Sequence, residues 1–441
     1  MIRKTVTISL ATAAAAALAL GGVGAIRNDD QPAAPRAAAT TKAAEVASVD
    51  QVAFWQGRVD ANADDFVSRT QLASSLLTRA RTTHNTADAV TADGEIDQVL
   101  AVVPDDTSAL LVKANARSFV HDFPTGLRYA QRVLDRDPTH KVAIAMVGDG
   151  HFELGDLDQA ALFYTQLAER VGASPEVSAR RARLAHARGD VRAALVLAEQ
   201  AIVEAEAFGL APADSTYYTF LLAEFQRLDG DYDASAESFE QILAVNDEDG
   251  AAIEGLAKAH AALGDLDEAE RWWQKSGDLI GAPDFHVLAA LGDIEFARGD
   301  EARARELWDE ALDAVAALAD EQQVGFLRDV SRFRSTRGLD IGEALALAER
   351  DFEIRQDAHA YDTLAWAQLA NGDDDEALES IEDALATGIA DAGVWYHAAE
   401  IYAANNDDTA ALDLVRKALD LSPEFDLYEA EQARTLLADL S

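Results

Sequence analysis

The side chains of this chain that could do chemistry are plentiful, but few stand at the spacings chemistry needs. Nine histidines are scattered along 441 residues and there is no cysteine. That removes thiolate metal sites, disulfides, haem-attachment motifs and a lipid-attachment cysteine. No Gly-x-Ser-x-Gly elbow, phosphate-binding Gly-Lys-Ser/Thr loop or His-Glu-x-x-His helix occurs. Gly148-Asp149-Gly150 lacks the third glycine of a dinucleotide loop. The acidic runs Asn246 to Asp249 and Asp373 to Glu376 could suggest calcium, yet they lack the alternating ligand order of a calcium loop. Asp373 to Glu376 instead follows a glycine at a hairpin turn, where acids cap a helix. With 79 Asp and Glu residues, paired carboxylates are everywhere and say nothing about acid–base work. His286 and His359 read as solvent-facing or groove residues at helix starts, and Trp272, Trp273, Trp308, Trp366 and Trp395 as packing residues. The expectation is a chain with no catalytic residues, no metal and no cofactor.

The elements that must carry these residues are helices. Hydrophobic residues make up 49%, mostly Ala and Leu, against 7% aromatic residues and nine prolines. Such a composition suits long helices and predicts almost no strand. The formal charge is −42, which argues against nucleic acid as a partner because phosphates need Lys and Arg on the contact face. Only 7 of the 37 basic residues are Lys. That balance fits a surface adapted to salt, or attraction to a basic partner.

The chain is expected to be exported. Arg3 and Lys4 precede an uncharged Ala-rich run from Thr5 to Leu20, and Val23-Gly24-Ala25 offers small residues for cleavage. Residues 1–25 therefore read as a signal peptide, with an uncleaved membrane anchor as the competing reading and the only route to a membrane. Residues 26–50, rich in Ala, Pro and Thr, read as a disordered linker. Residues 51–423 read as an array of about nine to ten helical hairpins, and 424–441 as a C-terminal capping helix.

The array follows from a repeat. Gly-Asp recurs at Gly155, Gly189, Gly230, Gly264, Gly299 and Gly372, with Asn406-Asp407 in the same role, at spacings of 34, 41, 34, 35, 73 and 34 residues. Gly338-Leu339-Asp340 divides the gap of 73 into 39 and 34. The longer spacings mark insertions around Phe208 to Ser215 and Ala319 to Gly325. Gly supplies the left-handed residue that ends one helix, and the Asp after it can cap the next. Leu266, Ala269 and Trp273 recur at helical spacing, with Asp267, Glu268, Glu270 and Arg271 outside the stripe. A stripe of that kind is buried only by stacking hairpin on hairpin.

These residues resemble the tetratricopeptide repeat (TPR) family, which sets small residues where paired helices touch and large ones between them. The likeness is carried by Gly148, Gly155, Ala160 and Tyr164; by Ala257, Gly264, Ala269 and Trp273; by Gly292, Gly299, Ala304, Trp308 and Ala311; and by Trp395, Tyr402, Ala411, Ala418 and Pro423. An earlier repeat ending at Pro138 is degenerate at Gly126 and Ala130. Phe66 to Arg81, Ala360 to Trp366 and Trp395 to Ala399 are similar to a wider set of bacterial exported TPR proteins. The resemblance implies an all-α, right-handed α-solenoid whose first helices line a concave groove that contacts a protein or peptide.

Carried over by that resemblance, the groove positions that would meet a partner are Asp149, Arg183, Phe220, Glu224, Glu254, Lys258, Asp293, Asp362, Trp366, Tyr396 and Glu400. No repeat has the Lys, followed one turn later by Asn, with which some TPR grooves grip a C-terminal carboxylate. Six acids against Arg183 and Lys258, with aromatics among them, suggest a basic or amphipathic helical segment. The expected function is a non-enzymatic scaffold or adaptor of the cell envelope. The alternative is a ligand-binding component of an uptake or sensing system.

Overall fold

The computed structural model describes residues 41–83, 86–318 and 323–441. Among them it is all-helical with no strand, a solenoid of helical hairpins. In chain order the helices are α1 (Thr41–Ala61), α2 (Phe66–Thr83), α3 (Thr86–Val102), α4 (Thr107–Phe119), α5 (Phe123–Leu134), α6 (Lys141–Glu153), α7 (Leu157–Val171) and α8 (Pro175–Ala187). They continue as α9 (Val191–Ala207), α10 (Pro212–Leu228), α11 (Tyr232–Val245), α12 (Gly250–Ala262), α13 (Leu266–Ile280), α14 (Phe285–Ala297) and α15 (Glu301–Ala316). After a 3-10 turn at Val324–Phe326 come α16 (Leu327–Arg337), α17 (Ile341–Ile354), α18 (Ala358–Asn371), α19 (Asp374–Ala386), α20 (Ala392–Ala404), α21 (Asp408–Leu421) and α22 (Glu429–Asp439). The expected signal peptide, residues 1–25, lies outside the described residues. Helix α1 begins at Thr41, inside the stretch read as linker, and the C-terminal cap is a helix only from Glu429, after turns. No helix among the described residues is long and apolar enough to cross a membrane.

The hairpin turns have one construction. Gly189, Gly230, Gly264, Gly299, Gly338 and Gly372 all have φ between 64° and 86°, and Asn406 takes φ 63° in the same place. The next N–H then reaches back to close the helix: Asp190 to the carbonyl of Ala185, Asp231 to Gln226 and Asp300 to Glu295, each 2.9 Å. This is the closure a left-handed residue makes possible, and it satisfies carbonyls that a helix end otherwise leaves bare. The same Asp often starts the next helix. Asp190, Asp231, Asp300 and Asp407 accept from the backbone N–H three residues on. Asp265 and Asp373 stand in the same position without a side-chain cap bond. Helices that begin a hairpin are capped alike, by Asp106, Asp249, Asp284, Asp357 and Asp391. Part of the chain's acidity is thus helix capping, at about 0.5–2 kcal/mol per cap.

The chain divides into two compact units, residues up to Glu153 with Asp158–Glu176, and Leu154–Leu157 with Val177–Ser441. In the first, Leu72, Leu76, Ala89, Ala92, Ile96 and Ala109 bury the seams between α2, α3 and α4. Polar contacts brace the same helices: Arg79 donates to both oxygens of Asp88 at 2.6 and 2.7 Å, and Lys113 donates to Asp97 at 2.6 Å and is ion-paired with Asp93 at 2.8 Å. In the second unit the small-against-large rule is strict. A methyl on Gly255 would overlap the fully buried ring of Phe239, and one on Gly292 the ring of Trp308.

The second unit also closes on itself. The turn at Gly189 lies against the backbone of Gly388, leaving no room for a side chain, and a Cβ at Gly230 would meet the carbonyl of Leu421 at 2.7 Å. Tyr232 Oη lies 2.8 Å from Ser422 Oγ and accepts from the backbone N–H of Glu424 at 2.9 Å. Hairpins about two hundred residues apart are thereby neighbours.

Two kinds of glycine follow, and urea melts should separate them from a capping change. Gly255→Ala should destabilise by about 1–3 kcal/mol through overpacking against Phe239. Gly264→Val should destabilise by about 1–2 kcal/mol, because a β-branched residue resists φ 78° although nothing crowds it. Asp265→Asn should stay within about 0.5 kcal/mol. Equal losses for all three would contradict this placement.

Candidate functional site

In the second unit the first helices of successive hairpins pack on one another, α10 on α12, α16 on α18 and α18 on α20, and so form an inner face. The eleven groove residues expected from the sequence sit on such helices, one of them in the first unit. There Asp149, on α6, is buried and accepts from Tyr164 Oη at 3.0 Å. In the second unit Arg183, Glu254, Asp362, Trp366 and Tyr396 are buried, while Phe220, Glu224, Lys258, Asp293 and Glu400 are half-buried.

Most of these side chains already have partners. Phe220 meets Phe239 edge-on, with ring centres 5.8 Å apart. Glu224 accepts from Arg227 at 3.0 Å and Glu254 from Ser276 Oγ at 3.0 Å. Asp293 is paired with Arg337 and accepts from Trp308 Nε1 at 3.0 Å. Burial pushes the Asp293 carboxyl up to about 6, against the pull of Arg337. The guanidinium of Arg337 lies over Phe333, Trp308 and Tyr428 at 4.0, 4.9 and 4.9 Å. Tyr396 Oη is 3.1 Å from both Glu400 Oε1 and Gln432 Oε1.

The deepest cluster centres on His397, which is wholly buried. Its Nδ1 lies 2.8 Å from Asp362 Oδ1 and its Nε2 3.2 Å from Glu429 Oε1, while Trp366 stacks on the ring at 4.1 Å. Arg332 stands 3.6 Å from Asp362, and Thr336 Oγ1 donates to Glu429 while accepting from Trp366 Nε1. Burial alone would lower the imidazole, but the carboxylates of Asp362 and Glu429 outweigh it and hold His397 at about 9. Both ring nitrogens therefore donate, and the cluster is a buried ion triad. Its arrangement fits bracing better than turnover, since no solvent reaches the imidazole.

Sequence reasoning missed the cations that meet these acids. Arg332 and Arg337 lie on α16, a repeat whose irregular spacing hid its inner face. Glu429 and Tyr428 come from the C-terminal segment, read only as a cap. The nearest signal was the run Arg328, Arg332, Arg334, Arg337 at helical spacing, opposite a stretch rich in acids.

The inner face of this unit also keeps open space. A pocket of about 320 Å³ opens between α12, α13 and α14 and the segment Glu424–Leu427. It is lined by Lys258 and Asp293 from the expected set, and by Arg227, Tyr232, Trp273, His286, Ile294, Phe425 and Asp426. The volume is at the small end for ligand pockets, which run roughly from 300 to 1,000 Å³. Among the described residues no group of His, Asp and Glu is placed to hold a metal ion.

The His397 triad makes stability depend on pH. Its folded value lies above the unfolded value of about 6.5, so its contribution is complete below that pH and is lost as pH rises through about 9. Thermal melts should show the unfolding temperature falling between pH 6.5 and 9. His397→Gln should be less stable at pH 6.5 and nearly flat across that window. A wild-type melt that does not move over it would contradict a charged imidazole.

Comparison with known proteins fits this construction. Residues 227–275 and 363–424 each match a family model described as tetratricopeptide repeat. No curated protein sequence is matched. Many solved structures are similar at low identity. PilW, titled a widely conserved type IV pilus biogenesis factor, is 16% identical over 49% of this chain and 96% of its own, with a TM-score of 0.41. Yeast Tom70 is 12% identical over 90% and 93%, with a TM-score of 0.37. A tetratricopeptide repeat protein from Parabacteroides merdae is 17% identical over 61% and 99%, with a TM-score of 0.34. Helical hairpins closed at Gly-Asp turns recur through the second unit, and two stretches of it match tetratricopeptide-repeat models, so the chain carries tetratricopeptide repeats.

Proposed function

We propose that this chain is a non-enzymatic scaffold of the cell envelope that holds a partner protein by a segment entering the inner face of its second unit. Its fold is that of a protein–protein interaction scaffold. The envelope setting is supported by Arg3 and Lys4 ahead of the uncharged run Thr5 to Leu20 and by the small residues Val23-Gly24-Ala25. One observation carries the site: the inner face keeps a pocket where Lys258 and Asp293, two of the groove residues, meet Trp273 and Phe425. A small mixed surface with an aromatic wall is what anchors a protein segment. Glu224, bonded to Arg227, helps hold one wall of this surface in shape.

A basic partner segment was expected from six groove acids. Those acids are bonded within the chain, five of them to side chains outside the groove set, so the acidity offers less to a partner than the sequence suggests. The competing reading, a ligand-binding component of an uptake or sensing system, is favoured by the small volume of the pocket.

Site-specific photo-crosslinking in the native envelope distinguishes the two. A photoreactive residue at Ala290, on the pocket wall, should yield a discrete protein adduct. The same residue at exposed Leu279 should not. Adducts of equal yield at both positions would sink the site. A small-molecule adduct alone at Ala290 would favour the ligand-binding reading.

A further inference from the structure

The pocket on the inner face of the second unit is uneven in how its charges are spent. Its carboxylates are all provided for. Asp293 has Arg337 and the indole N–H of Trp308. Glu424 pairs with Arg434 at 3.0 Å, and Asp426 accepts from the backbone N–H groups of Tyr428 and Glu429 at 2.8 and 2.9 Å. The hydroxyl of Tyr232 is taken by Ser422 and Glu424.

The donors are not. Arg227 spends one terminal nitrogen on Glu224, and its buried Nε–H has no hydrogen-bond partner. Lys258 rests its ammonium 6.0 Å from the centre of the Trp273 ring and, among the described residues, is in no ion pair. His286 is not one of these, since its Nε2 faces the carboxylate of Asp329 at 3.9 Å. A buried donor left without an acceptor, as at Arg227 Nε, costs free energy. What the pocket lacks is an acceptor, and an anionic one suits Lys258 beside Arg227.

The remaining walls, Ala261, Trp273, Ile294, Phe425 and Leu427, are apolar. About 320 Å³ holds two or three side chains, too little for a helix but enough for an extended segment. The chain itself lays a run of turns along one wall, Glu424-Phe425-Asp426-Leu427, in which acids alternate with apolar residues. The inner face therefore already accepts that pattern.

We propose that this pocket binds an extended, acidic segment of the partner protein, with an Asp or Glu carboxylate set between Lys258 and Arg227 and an apolar neighbour against Trp273 and Ile294. The proposal rests on the scaffold reading above and reverses the charge expected from the sequence. Sign is decided by uncommitted groups, and the groove acids are committed.

The test is selection from a random nonapeptide display library on the full chain. Bound peptides should be enriched at least tenfold in Asp or Glu next to an apolar residue. The enrichment should vanish on Lys258→Glu and on Lys258→Met, which keeps the stem on Trp273, and should survive Lys258→Arg. Lys417→Glu, an equal charge change at an exposed site on α21, should leave it intact. Thermal melts check that each variant is folded. Enrichment in Lys or Arg, no enrichment, or enrichment indifferent to Lys258→Met would each overturn the proposal. So would full displacement of the selected peptides by free glutarate at a concentration equal to theirs, which would make the site one for a small acid. If crosslinking from Ala290 to a protein persists in Lys258→Met, the scaffold reading stands and only the acidic specificity falls.

Discussion

The backbone contact between hairpins some two hundred residues apart is the constraint on which the second unit depends. Gly189 against Gly388, Gly230 against Leu421, and Tyr232 bonded to Ser422 and Glu424 bring distant turns together. Side chains cannot be inserted at Gly189 or Gly230, because the space belongs to another stretch of backbone. Curling the unit this far draws its inner helices together and takes their polar side chains out of water. A charge so placed needs a partner of opposite sign, or it must give up its proton.

Both outcomes are visible. His397 stays charged between Asp362 and Glu429, while Asp293, more desolvated than compensated, is pushed up to about 6 despite Arg337. Such buried pairs contribute little net stability, since desolvation consumes much of the attraction, but removing one partner costs about 3–5 kcal/mol. Their effect is to specify which helices meet. His397 ties α20 to α18 and to the start of α22, and Arg337 ties α16 to α14. The C-terminal segment is therefore part of the inner face as well as an end cap.

The first unit uses similar materials to a different end. Its ion pairs, Arg79 with Asp88, Arg69 with Glu95 and Lys113 with Asp93 and Asp97, run between helices next to each other in the chain. They brace local packing. In the second unit the partners lie up to 44 residues apart, as in Arg337 with Asp293, and Asp293 also lines the pocket.

The repeat itself was legible in the sequence. Gly-Asp spacing placed the hairpin turns, and Asn406 was read in the role that its φ of 63° bears out. The small residue Gly292 facing Trp308 follows from the same pattern, because it is a local rule that holds within one or two helices, whereas Gly255 facing Phe239 was not read from the sequence. Which groove residues remain available was not legible. Glu254, Asp362 and Tyr396 look like contact residues by position, yet they are buried against Ser276, His397 and Gln432. Ser276 comes from the second helix of the same hairpin, but His397 comes from the next repeat and Gln432 from the C-terminal segment. Repeat periodicity says which face a residue occupies, but only the curvature of the folded chain decides what stands opposite it, and hence whether its charge is left over for a partner.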